Sequence, residues 1–150
     1  MVEKADIIVN FNSLCISSRK SITGEIYFLI GDRYFPEEGW NDFVIIILSW
    51  WHKALINIKN SQTNTTHEFD FMDGPLVVKA TKISENNLKL DFIKENSDTQ
   101  EIFFTSISNF FQLEKSLMDV TKRLLKEINL KGWHSDEIEE LEKMFNILKG

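Results

Sequence analysis

Apolar and polar residues alternate along much of the first two thirds of the chain, which indicates β-structure. Residues 6–16 and 24–30 flank the turn-forming stretch 17–21, and together they predict an antiparallel hairpin. Further along, four short β-type segments are separated by turn-forming residues, which predicts a meander. These four predicted strands span residues 67–71, 76–83, 88–92 and 100–105.

Near the C-terminus the apolar period changes to three or four residues, which is typical of amphipathic helices. The first helix is predicted to start near Ser106 or Ser108 and to end at Gly132, and Ser135 is predicted to cap the second. Both helices need a surface to cover, and we expect it to be the exposed face of the sheet. Their apolar stripes are Ile107, Phe110, Leu113, Leu117, Val120, Leu124 and Ile128, and Ile138, Leu141, Phe145 and Leu148.

The segment from residue 42 to residue 59 fits two structures. Its run at residues 44–47 favours a strand by propensity, whereas the spacing of its larger apolar residues favours one helical face. Asn41 is a suitable N-cap, and Asp42 suits the positive end of a helix dipole. We therefore predict a helix, and one long bent strand is the alternative. The predicted apolar face comprises Phe43, Val44, Ile47, Leu48, Trp51, Leu55 and Ile58.

These elements predict a single α+β domain over the 150 residues. The predicted architecture is an antiparallel sheet of five or six strands with two C-terminal helices packed on it. A further helix is predicted between the second and third strands.

Charge and cysteine content narrow the classes of function. Seventeen Lys and Arg residues against 23 Asp and Glu residues give a formal net charge of −6, which disfavours nucleic-acid binding. The single Cys15 excludes an intramolecular disulfide, so we expect a cytoplasmic protein. The N-terminus lacks the basic start and long apolar core of a signal peptide. The longest apolar run, residues 43–48, is too short to span a membrane, so no membrane association is expected.

Reactive side chains are sparse in the sequence. His52, His67 and His134 are far apart and lack the paired spacing of a zinc site, so neither a metal nor a cofactor is expected. Cys15 lies in a predicted strand between Leu14 and Ile16, where we expect a small packed residue rather than a nucleophile.

One group of carboxylates is the candidate for a small-ligand site or for acid–base chemistry. Glu68 and Asp70 share one face of a predicted strand, and Asp73 follows in the next turn. A solvated sheet face explains the first two equally well, and turn formation explains Asp73.

The tryptophans suggest a surface for a protein partner. Trp50 and Trp51 are adjacent, so they cannot both face the core. The helical stripe assigns Trp51 to the core and Trp50 to the surface, where an aromatic anchor rimmed by charge is typical of an interface. The predicted partner-binding residues are Trp50, Trp40, Asp32, Arg33, Glu37, Glu38 and Asp42.

The middle third of the chain also resembles a known group of proteins. Phe35-Pro36, residues 39–43, Trp50-Trp51 and residues 71–75 form a pattern similar to that of small uncharacterised bacterial proteins, some of them assigned to toxin-immunity loci. The resemblance implies a bacterial, cytoplasmic, non-catalytic partner binder. The acidic charge is compatible with neutralising a basic toxin.

The leading functional prediction is therefore a non-catalytic acidic binding protein of the immunity or inhibitor kind. One alternative is a small-ligand-binding protein or enzyme with an aromatic pocket that contains Glu68, Asp70 and Asp73. The other alternative is a homo-oligomeric structural module that uses a sheet edge or the Trp50 face.

Overall fold

The chain folds into an α+β structure in which strands outnumber helices. The computed structural model describes residues 1–72 and 74–150, and within these ranges there are eight strands and three helices. The strands are β1 (Ala5–Ile16), β2 (Ile22–Ile30), β3 (Arg33–Phe35), β4 (Asn41–Asp42), β5 (Thr66–Asp70), β6 (Leu76–Lys82), β7 (Asn87–Glu95) and β8 (Gln100–Asn109). The helices are α1 (Val44–Lys59), α2 (Phe110–Leu130) and α3 (Asp136–Lys149).

The strands form two antiparallel sheets of four strands each in the described ranges, not one sheet of five or six. In the first sheet β2 pairs with β1 along one edge and with both β3 and β4 along the other. The second sheet is the predicted meander in the order β5-β6-β7-β8. The prediction missed β3 and β4 because strands of three and two residues are too short to show alternation.

The ambiguous segment is a helix, as predicted, and the alternative of a bent strand is wrong. Because β3 and β4 precede it, α1 lies between the fourth and fifth strands rather than between the second and third. It packs against β2 and β5, and α3 covers it from another side. A helix that is covered on several sides can bury β-branched residues that would otherwise favour a strand.

The start of α1 differs from the prediction. Asn41 is not the N-cap, because it pairs with Glu25 as part of β4. Phe43 precedes the helix instead, and no side chain caps the first turn. The Oδ1 of Asp42 accepts a hydrogen bond from the backbone N–H of Phe43 at 2.7 Å. The Asp42 carboxylate thus binds the residue that precedes the helix and not a backbone N–H of the first turn.

The two C-terminal helices have the predicted ends except at one point. Strand β8 continues to Asn109, so α2 starts later than Ser106 or Ser108, and the Asn109 side chain accepts from Gln112 N. Gly132, with φ of +69°, follows the end of α2 as predicted. The Oγ of Ser135 caps α3 by accepting from Ile138 N at 3.2 Å.

Only one of these helices packs on a sheet. Helix α2 packs against β1 and β8, whereas α3 packs against α1 and α2. The prediction that both helices cover the sheet is therefore correct for α2 and wrong for α3. None of the helices in the described ranges is both long and apolar enough to cross a bilayer.

Aromatic side chains fill the space between the inner faces of the two sheets. Phe28 of β2 lies at the centre, with ring centroids 6.0 Å from Phe69 of β5, 5.8 Å from Phe92 of β7 and 4.8 Å from Trp51 of α1. The sheets also meet near the N-terminus, where Glu3 N donates to the backbone oxygen of Ile107 at 2.7 Å. One core therefore serves both sheets and α1.

The environment of Cys15 contradicts the prediction of a packed residue. Its side chain is exposed. The pairing of β1 with β2 is irregular between Asn10 and Cys15, so the alternation that assigned Cys15 to a packed strand position is interrupted there.

Candidate functional site: a groove beside Trp50

Trp50 and Trp51 point to opposite environments on α1. Successive helical residues project about 100° apart, so adjacent tryptophans cannot share a face. Trp51 is fully buried, whereas Trp50 is 40% exposed. This is the orientation that the helical stripe predicts.

Trp51 fixes strand β5 beside α1. Its indole lies 5.3 Å from the Phe71 ring, centroid to centroid, and its Nε1–H donates to the backbone oxygen of Asp70 at 2.8 Å. The buried tryptophan therefore positions the strand that forms one side of the surface around Trp50.

Trp50 lies between two hollows on the protein surface. The hollow towards β5 has a volume of about 290 Å³, and the hollow towards α3 has a volume of about 500 Å³. Both are lined by Trp50 and Lys53, and we call the two adjoining hollows together the Trp50 groove. Its principal residues are Trp50 and Lys53 of α1, Glu68 and Asp70 of β5, and Asp136, Glu137, Glu140 and Met144 of α3.

The β5 side of the groove carries a pair of carboxyl groups. Glu68 and Asp70 lie two residues apart on one face of the strand, as predicted. Burial raises the pKa of both groups, and the charge of Asp70 raises the pKa of Glu68 further. The ammonium group of Lys79 lies closer to Glu95 than to Glu68: its Nζ is 2.7 Å from the Glu95 carboxylate and 3.9 Å from that of Glu68. Glu68 therefore has a distant ion pair with Lys79, and Asp70 has no ion pair among the described residues.

The α3 side of the groove is also acidic. Asp136, Glu137 and Glu140 lie in the first turns of a helix whose N-terminus Ser135 caps. Carboxylates at this end interact favourably with the helix dipole, so these residues also stabilise α3 itself. Helix α3 is held on the protein by its buried Leu141 and by the other apolar residues of its inner stripe.

His52 lies in the interface between α1 and α3. It is fully buried, its ring centroid lies 6.1 Å from that of Phe145, and its Nδ1 lies 2.7 Å from the backbone oxygen of Leu48. Since a carbonyl oxygen only accepts, Nδ1 carries the hydrogen, and Nε2 is buried without a partner in the described part of the chain. Burial lowers the pKa of His52 to about 4, so the imidazole is neutral at pH 7.

The groove combines an exposed indole with an excess of negative charge. Five carboxyl groups on its two sides face one ammonium group, that of Lys53. A cation placed there would meet carboxylates on both sides and the face of an aromatic ring, which attracts cations through its quadrupole. The arrangement is therefore suited to holding a basic side chain.

Two residues of the predicted partner-binding set face inwards. Asp42 is only 6% exposed, and its Oδ2 accepts from Trp40 Nε1 at 2.9 Å and from Met72 N at 3.3 Å. Trp40 is half-buried, and its ring packs 6.3 Å from that of Phe71. The structure thus gives these two residues a role in joining β4 to the segment after β5.

The other four residues of that set lie around β3. Arg33 binds the Glu3 carboxylate through Nη2 at 2.8 and 2.9 Å and stacks over the Phe104 ring at 4.3 Å. Asp32, Glu37 and Glu38 are exposed. In the described part of the chain neither hollow beside Trp50 is lined by any of these four residues.

The sequence predicted that Trp50 is exposed, which the structure confirms, but the charged residues predicted around it differ from those that line the groove. The prediction missed Lys53 and the acidic residues of α3, because α3 was expected on the sheet rather than beside α1. Lys53 follows Trp50 by three residues and therefore shares its helical face, a signal that was present in the sequence. The contact between α1 and α3 depends on tertiary packing, and no local pattern reveals it.

The remaining candidates for chemistry are dispersed. His134 is exposed, and His67 is partly buried beside Lys82, where burial and that charge lower its pKa. In residues 1–72 and 74–150 no group of three or more His, Cys, Asp or Glu side chains is placed to hold a metal ion. The predicted role of Asp73 falls outside the described residues.

Comparison of the chain with protein-family models, with curated proteins and with solved structures finds no match in any of the three. The functional argument therefore rests on the geometry and charge of the groove.

Proposed function

We propose that the protein is a non-catalytic binding protein that holds a basic segment of a protein partner in the Trp50 groove. The observation that supports this most is the position of Trp50, which is 40% exposed between the carboxylates of β5 and those of α3. Large aromatic residues in concave, charge-rimmed surfaces are typical binding anchors. The formal net charge of −6 adds a long-range attraction for basic partners.

The two parts of the groove would contribute differently to binding. The carboxylates speed up association and select for positive charge, while the indole supplies buried area and contact energy after docking. Glu68 and Asp70 gain from an incoming cation, because burial raises the pKa of both carboxyl groups and a cation favours their charged forms.

The resemblance to small uncharacterised bacterial proteins, some of them assigned to toxin-immunity loci, narrows the proposal to a basic toxin as the partner. The single cysteine fits a reducing compartment, so a cytoplasmic site of action is part of this proposal. A direct test is to identify the genes next to this chain's gene and to express any basic toxin that they encode. Growth should be restored by the wild-type chain and not by Trp50→Ala.

The partner-binding role can be tested by affinity capture with two matched variants. Trp50→Ala removes the anchor, and Tyr34→Ala removes an aromatic ring of nearly equal exposure, 39%, on another acidic surface. A basic protein captured by wild type and by Tyr34→Ala should be lost by Trp50→Ala. With the purified partner, calorimetry should show a loss of at least about 2 kcal/mol for Trp50→Ala.

Salt dependence provides a second readout on the same complex. Association should slow steeply as ionic strength rises, because the screening length falls to about 10 Å at 0.1 M. Replacing Glu137 and Glu140 with Gln should slow association and weaken its dependence on salt. Capture that survives Trp50→Ala but fails with Tyr34→Ala would move the binding surface to β3 and contradict the proposal.

A catalytic role for Glu68 and Asp70 is the alternative that one observation favours. Their raised pKa values, in a cleft, are a property shared with catalytic acids. Turnover in a hydrolase screen that disappears when both residues are changed to amides would support this alternative. Turnover that persists in the amide variant would exclude the pair as the acid.

A further inference from the structure

A second concavity lies away from the Trp50 groove, where α1 ends and α2 begins. It has a volume of about 220 Å³ and shares no lining residue with the groove. Its walls come from the last turn of α1, the end of β6, the turn before β7 and the first turn of α2. We call it the Lys82 pocket after the residue that distinguishes it.

Lys82 is a buried cation in the wall of this pocket. It is only 6% exposed, and its Nζ donates to the backbone oxygens of Ser61 at 2.8 Å and Ile58 at 3.3 Å. These hydrogen bonds satisfy backbone carbonyl groups at and just after the end of α1. An ammonium group has three hydrogens, so one remains without a partner among the described residues. None of the ion pairs in those residues includes Lys82, and a buried charge of this kind favours a counter-charge.

Further positive potential converges on the same pocket. Lys59 lines it, and so do Phe110 and Phe111, which begin the 21-residue helix α2 and bring the positive end of its dipole. Two carboxylates oppose these two ammonium groups: Glu114 pairs with Lys59 at 3.7 Å, and Glu85 lines the pocket but is exposed. The buried ammonium of Lys82 and the positive end of the α2 dipole then favour an anion in the pocket.

The rest of the lining is apolar and limits the size of a ligand. Ile58 and Leu88 are fully buried, Phe110 is 5% exposed, and Phe111 is 53% exposed, which places its ring at the outer rim. For scale, an apolar cavity of about 150 Å³ accommodates benzene. The pocket thus has space for one ring-sized apolar group together with a carboxylate.

We propose that the Lys82 pocket binds a small organic carboxylate with one aromatic or branched aliphatic group. The carboxylate accepts the remaining hydrogen of the Lys82 ammonium, and the apolar group packs between Leu88 and Phe111. This site is independent of the Trp50 groove, so it can be present whether or not the groove binds a protein partner.

Benzoate is the probe, and the wild-type protein provides the first test. In amide chemical-shift titrations, benzoate should give saturable shifts at Ile58, Ser84 and Phe111. Benzamide, which has the ring without the charge, should bind at least about tenfold more weakly. Inorganic phosphate, which has the charge without the ring, should also bind more weakly than benzoate. Equal affinity for benzoate and benzamide, or no saturable shift at these amides, would overturn the proposal.

Two variants separate the charge from the apolar contact. Lys82→Met keeps the aliphatic stem, and its benzoate affinity should fall to that of benzamide. Phe111→Ala removes an exposed ring, so it should fold, and it should weaken benzoate and benzamide alike by about fivefold. Phe103→Ala, at a residue that is 49% exposed and outside the pocket, should change neither affinity. Unchanged benzoate affinity in Phe111→Ala, or in a folded Lys82→Met, would refute the assignment.

Discussion

The two sides of helix α1 each have a tryptophan, but one side is buried in the core and the other lies at the protein surface. On the inner side, Trp51 and His52 are fully buried and connect the helix to β5 and to α3. On the outer side, Trp50 and Lys53 line a surface groove. In this helix the position on the circumference, rather than the residue type, decides whether a tryptophan lies in the core or on the surface. Removing an indole from each side should therefore have separable effects.

The largest effect should come from Trp51→Ala. We expect the free energy of unfolding to fall by about 3–5 kcal/mol, because the change leaves a cavity among aromatic rings. It also removes the bond to the Asp70 backbone oxygen at 2.8 Å. Urea unfolding followed by far-ultraviolet circular dichroism would measure the loss.

Trp51→Phe serves as the matched control, since it keeps most of the apolar volume and removes the Nε1 donor. The free energy of unfolding should fall less in Trp51→Phe than in Trp51→Ala. A loss for Trp51→Ala below that of Trp50→Ala would invert the orientation and refute the comparison of the two sides.

Lowering the pH should destabilise the folded protein through His52, which lies on the inner side of α1. Well above pH 6.5 the imidazole is neutral in both the folded and the unfolded state, so its titration has no effect on stability there. Between pH 6.5 and about 4 the unfolded chain binds a proton that the folded chain does not. The free energy of unfolding should therefore fall as the pH falls, by about 1.4 kcal/mol per pH unit and about 3 kcal/mol in total.

His52→Leu isolates this contribution from those of other titrating groups. Glu68 and Asp70 have raised pKa values and act in the opposite direction, because the folded state binds their protons more readily. From pH 7 to pH 4 the wild type should lose more unfolding free energy than His52→Leu does, because only the wild type has the buried imidazole. A constant difference across that range would show that His52 titrates normally in the folded protein.

The smallest effect on stability should come from Trp50→Ala. About 1 kcal/mol or less is expected, several-fold below the loss for Trp51→Ala, since the Trp50 indole is 40% exposed. The same urea titration would measure it. A loss equal to that of Trp51→Ala would mean that the groove is part of the core, and its role as a binding surface would fail.

Much of the fold could be predicted because its patterns are local. The strands β5 to β8 alternate, and the apolar spacing of α1 outweighs the strand propensity of residues 44–47. Gly132 and Ser135 mark the boundary between α2 and α3 through their own backbone and side-chain chemistry.

The remaining features depend on contacts between distant segments. Asp42 looked like an acidic residue for the interface rim, yet it accepts hydrogen bonds from Trp40 and from Met72, a residue 30 positions away. The acidic side of the groove on α3 becomes visible only once α3 is known to lie on α1. Local patterns contain no information about such pairings, so half of the groove could not be predicted.

The bond from Trp51 to β5 has a consequence for how copies of this chain behave at high concentration. Strand β5 ends its sheet, and such a strand has backbone groups that can pair with another molecule. The indole N–H of Trp51 donates to the backbone carbonyl of Asp70, the last residue of this edge strand. That carbonyl already has a donor within the chain, so it is less available to a strand from another copy.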